Sequence, residues 1–112
     1  MQTDSPETRK REVDTLSAVV VEGMRVVSRT LIDIAPALSS LEAPDEVLSQ
    51  VAWIVADLAG EAPSVEADLA GLAALDPTDT GTVEKASALA EKVKGLVADS
   101  RELARLVREY GG

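Results

Sequence analysis

The sequence predicts an all-α fold, an antiparallel helical bundle with two long terminal helices and two short middle helices. Three observations carry that expectation. Apolar residues recur at steps of three and four along most of the 112 residues. Prolines followed by acidic or helix-forming residues stand where helices would begin. The core must be built from Leu, Val, Ile and Ala, because the chain has no Phe, one Trp and one Tyr, and side chains of that size suit closely spaced helices. The length fits a single domain spanning 1–112, with residues 1–5 expected to be flexible.

The first helix opens at Asp4-Ser5-Pro6-Glu7, which offers a cap, a proline at the first helical position and an acid in the first turn. Its apolar face runs Val13, Leu16, Val20, Met24, Val27, Leu31, Ile34, Leu38 and Leu41, widened by Val19, Val21, Val26 and Ile32. Glu22, Arg25, Arg29 and Asp33 form a narrow polar strip spaced for ion pairing. Pro36 removes a backbone donor and disfavours helical geometry at Ala35, which predicts a kink or break there.

The second helix begins at Pro44 with Asp45 and Glu46 in its first turn, buries Val47, Leu48, Val51, Ile54, Val55 and Leu58, and is expected to end at Gly60. A third, short helix is predicted to restart at Pro63 and carry Val65, Leu69, Leu72 and Leu75 as far as Asp76-Pro77. The fourth runs from about Thr82 to Tyr110 with Ala86, Leu89, Val93, Leu96, Leu103 and Val107 on one face. At ~1.5 Å per residue the terminal helices reach roughly 50 and 40 Å, against about 24 and 20 Å for the middle pair. The middle pair laid end to end makes a three-legged bundle, and folded back on itself it makes four helices. A compact four-helix arrangement would leave apolar stripe uncovered on the long helices, and a second copy of the chain would cover it, so a homodimer is expected.

Composition excludes several chemistries. There is no Cys and no His, so disulfides, thiolate catalysis, Ser-His or Cys-His nucleophiles, histidine phosphotransfer and Glu-x-x-His di-iron sites are absent. An enzyme lacking both residues and holding a dianionic substrate would need Arg and Lys from several helices, and the middle helices have neither. Asp76 to Ser87 resembles a calcium loop only at Asp76, Gly81 and Val83; Thr78, Thr80 and Ser87 stand where ligands belong, and Asp79, Thr80 and Thr82 read as caps of the fourth helix. No catalytic, cofactor or metal residue is expected. The longest uncharged run, Val47 to Ala56, is too short to span a bilayer, and the polar N-terminus lacks a signal peptide's apolar stretch, so a cytoplasmic location is the default.

Charge is the most informative feature. The net −9 arises between Thr30 and Glu84, where eleven acidic residues occur without a single Lys or Arg. That layout argues against nucleic-acid binding, which needs cations to neutralise phosphates. It predicts an acidic surface that steers a basic protein partner. Trp53 falls on the polar side of the second helix with Glu46, Gln50 and Asp57, and these four are the candidate partner-binding residues. The expected function is thus a non-enzymatic protein–protein interaction module, an adaptor, regulator or chaperone-like subunit. The alternatives are an amphipathic protein on a lipid or granule surface, or a small enzyme free of His and Cys.

Overall fold

The computed structural model describes residues 5–111 and contains three helices, α1 (Pro6–Leu38), α2 (Asp45–Ala73) and α3 (Thr80–Tyr110). No strand occurs among the described residues. Of the segment expected to be flexible, positions 1–4 lie outside the described residues, and Ser5 is the N-cap of α1, its Oγ accepting from the Thr8 amide at 3.2 Å. Pro36 does not end α1. The helix runs two residues past it to Leu38, where the Ser39 and Ser40 hydroxyls donate to the carbonyls of Pro36 and Ala37.

The two short middle helices are one helix. α2 continues through both Gly60 and Pro63, which corrects the expected break. The reason is energetic. A proline inside a helix costs about 3 kcal/mol, and Pro63 stands with Ala59 and Gly60 on the exposed side. Leu58 and Val65, on either side of it along the chain, are 0% and 1% exposed, and burying each such side chain contributes about 1.5–3 kcal/mol. Val51, Leu58, Val65 and Leu72, all buried, repeat every seven residues straight across the proline. Ending the helix at Gly60 would put that stripe out of register with its partner.

The length mismatch disappears with this correction. The three helices contain 33, 29 and 31 residues, or ~50, ~44 and ~47 Å, in a body 58 × 26 × 21 Å in extent. The unequal lengths that suggested an uncovered stripe therefore give no support to self-association.

α3 is the spine. It buries ten residues, against four on α1 and five on α2. Thr82, Ala86, Leu89, Val93, Leu96, Ser100, Leu103 and Val107 alternate steps of four and three without a gap, the seam of a coiled coil. Thr82 and Ser100 are the polar members that an apolar pattern overlooks. Ser100 is fully buried, and its hydroxyl is satisfied by the Val97 carbonyl at 2.8 Å. α1 packs along α3 in the same direction, with Arg9 bonded to the Thr78 carbonyl at one end and Ile34 and Ala37 beside Val107 at the other. α2 packs against α3 in the opposite direction, as the Glu61–Lys92 ion pair and the neighbouring Leu72 and Leu89 show. α1 and α2 touch each other only sparsely.

α1 comes close to α3 at Gly23, where an added Cβ would lie 2.3 Å from Val93 Cγ1. Val93 is β-branched and 1% exposed, so it has little room to yield. Gly95 has open space around it. Gly23→Ala is expected to destabilise the fold by about 1–3 kcal/mol through overpacking, whereas Gly95→Ala should stabilise it by up to about 1 kcal/mol. Urea unfolding followed by circular dichroism checks both, and equal signs for the two variants would contradict the α1–α3 packing described.

Candidate interaction surface and groove

α2 carries Asp45, Glu46, Asp57, Glu61, Glu66 and Asp68 and no base. Glu61 is neutralised by Lys92 of α3 at 2.8 Å, and the other five acids make no ion pair among the described residues. The steps 46-50-53-57 place the four candidate partner residues along one line of the helix. Glu46 and Gln50 are exposed, Asp57 is half-buried, and Trp53 is 67% exposed. The α3-facing stripe of α2 is filled by Val51, Ile54, Leu58, Val65 and Leu72, which leaves the indole no place in the core.

A second feature escaped sequence reasoning. A groove of about 490 Å³ opens between the second half of α2 and the first half of α3. Ile54, Glu61, Asp68 and Leu75 also repeat every seven residues, but only Ile54 is buried. Past Leu58 the second seam position of α2 thus turns acidic, and the two helices no longer close over it. Leu72, Leu75 and Leu89 supply the apolar surface, the small Ala67, Gly71 and Ala88 leave the space, and Asp68, Lys85 and Lys92 stand around it. The clue available in the sequence was this switch from Ile to Glu and Asp within one heptad position. It was hidden by reading Gly60 to Pro63 as a boundary.

The remaining polar candidates resolve into local pairings. Arg25 bonds Glu22 at 2.7 Å as their spacing suggested, but Arg29 and Asp33 form no ion pair among the described residues. Arg105 bridges Glu102 and Glu109 at 2.5 and 2.9 Å. Asp76, first residue of the calcium-like loop, accepts from the Thr78 hydroxyl and amide at 2.7 and 2.9 Å. Those two bonds hold its carboxyl below the usual range, hydroxyl first. Asp79 caps α3 through the Gly81 amide at 3.0 Å. Among the described residues no group of three or more acidic, His or Cys residues is arranged to hold a metal, and no helix is long and apolar enough to cross a membrane.

No protein-family model matches this chain, and no curated protein or solved structure matches it either.

The Lys92–Glu61 pair yields a pH prediction. The hydrogen bond to Glu61 holds the Lys92 ammonium above its ordinary value of 10.5, against a smaller opposing effect of desolvation. A folded value above the unfolded one means the contribution is fully present below that ordinary value and lost as pH rises through the folded value. The stability difference between the native chain and Lys92→Met should therefore be constant from about pH 7 to 9 and shrink towards about pH 12. Urea midpoints of both proteins across that range measure it.

Proposed function

We propose that this protein is a non-enzymatic helical interaction module, an adaptor, regulator or chaperone-like subunit, that presents α2 to a basic protein partner. The observation that carries this reading is Trp53, 67% exposed on a helix with six acids and no base. Tryptophan supplies a large, rigid contact area and is enriched among the residues that dominate binding energy. Unpaired carboxylates around it raise the rate of encounter with a cationic surface and select its sign. The pattern suits a partner that brings Lys or Arg around an apolar recess. A cytoplasmic location accompanies this reading.

Self-association forms its second part. Support comes from α1, where Val19, Val21, Val26 and Ile32 are 37%, 43%, 39% and 72% exposed. These aliphatic residues flank the buried line of Val13, Val20, Val27 and Ile34 on both sides. A second copy lying against one flank would remove part of this surface from water, and a symmetric pair of α1 helices is the simplest arrangement that does so.

Pull-down from lysate at about 50 mM salt should recover a basic protein that is released at about 500 mM, since exposed charges are screened over that range. Trp53→Ala should weaken its binding by about 30-fold with unchanged circular dichroism. Recovery of no partner at low salt would remove the main support for this reading. Light scattering should give a dimer for the native chain and a monomer for Ile32→Asp; a native monomer would refute self-association and leave the partner reading standing.

A further inference from the structure

We infer that Trp53 of one copy of this chain docks into a groove between α1 and α3 of a second copy, so that the protein associates head to tail. This inference rests on the reading of Trp53 as a contact residue, and it names the partner as another copy of the same chain.

The groove lies where α1 crosses the middle of α3. Its floor is Gly23 and the buried Val93, and its walls are Val19 and Val97. Val19 is exposed, and so is Val26 one heptad further along α1, which extends the apolar flank. The groove holds about 270 Å³. That is below the range of small-molecule sites, roughly 300–1,000 Å³, and suits a single large side chain.

Charge selects the occupant. Lys94 and Arg101 line the groove and no acid does. Arg101 makes no ion pair or hydrogen bond among the described residues. Lys94 is held by the exposed Glu91 at 3.3 Å, a surface pair of little worth. The larger groove between α2 and α3 is lined by Asp68 as well as Lys85, so its charge favours neither sign. The complement of the α1–α3 groove is on the same chain. Five acids of α2 make no ion pair among the described residues, and Asp57 stands one turn beyond the exposed Trp53. Arg101 can stack on the inserted indole and pair with Asp57. No residue of α2 lines the groove, and Trp53 is exposed in its own chain, so insertion needs a second copy. Each pair then leaves one groove and one Trp53 free, and a contact of that kind propagates beyond two chains.

One helix on one groove belongs with small, weak interfaces, which leaves the α1 pairing dominant in dilute solution. The test therefore uses full chains carrying Ile32→Asp, which removes that pairing. Sedimentation at up to about 1 mM should show association beyond two chains, with a dissociation constant of about 100 µM. Adding Trp53→Ala or Arg101→Glu, both at exposed positions, should leave each variant folded by circular dichroism and monomeric. Mixed, the two should form one-to-one pairs, because one retains the groove and the other the tryptophan. The chain has a single Trp, so emission from the Arg101→Glu chain should shift to the blue as the Trp53→Ala chain is added. It should not shift when the added chain also carries Arg101→Glu. The inference is overturned if the Ile32→Asp chain stays monomeric to about 1 mM, if its association stops at two, if the mixture does not pair, or if the doubly substituted chain shifts the emission too. A basic protein recovered by the pull-down beside a monomeric Ile32→Asp chain would overturn it and leave the interaction module standing.

Discussion

The rest of the structure depends on the unbroken seam of α3. From Thr82 to Val107 its buried positions alternate by four and three, and both other helices are organised by it. α1 lies against one flank of this seam and α2 against the other, while α1 and α2 scarcely meet. A helix in that central position must present small or β-branched residues where a neighbour comes close. Val93 against Gly23 is one such place, because a glycine on α1 leaves room for the Val93 side chain. The scarcity of aromatic residues follows from the same constraint: a seam of Ala, Val, Leu and Ser leaves no gap for a large ring.

The continuity of α2 is the clearest effect of that seam. Locally, Gly60 and Pro63 are strong helix breakers. Their penalty is smaller than what Leu58 and Val65 contribute by entering the seam, so the helix persists, and the breakers are confined to the exposed side. The register preserved in this way has a second consequence. It places Glu61 and Asp68 at positions where Ile54 is buried half a helix earlier, and the α2–α3 contact changes from a closed apolar seam to one bordered by charge. The groove exists because two heptads of α2 keep their first apolar position and surrender their second.

Function can then be considered along a single leg. The first half of α2 offers an exposed indole among acids, and the second half borders a recess with a leucine floor and two lysines from α3. One acid of α2 is neutralised by Lys92, and the others make no ion pair among the described residues. α1 and α3 supply bases as well as acids, with local pairs such as Arg25–Glu22 and Arg105–Glu102. The molecule is therefore polarised laterally: its negative field belongs to the leg least involved with the others, where approach by a partner disturbs little of the core.

The amino-acid pattern alone determined the helical class, the positions of most helix ends and the apolar line of each helix. It also determined that Trp53 would be exposed, because each of these follows from periodicity and capping within a few residues. The Ser5 and Asp79 caps and the seam from Ala86 to Val107 were legible for that reason. Three features were decided only by tertiary packing. Pro63 inside α2, the buried Thr82 and Ser100, and the groove beside Leu72 all depend on which residues of another helix lie opposite. A local reading weighs a proline against its own helix, and the folded chain weighs it against the apolar surface that the whole helix buries. Burial over two turns exceeds the cost of one missing hydrogen bond, so the long-range term settled what the local signals left divided.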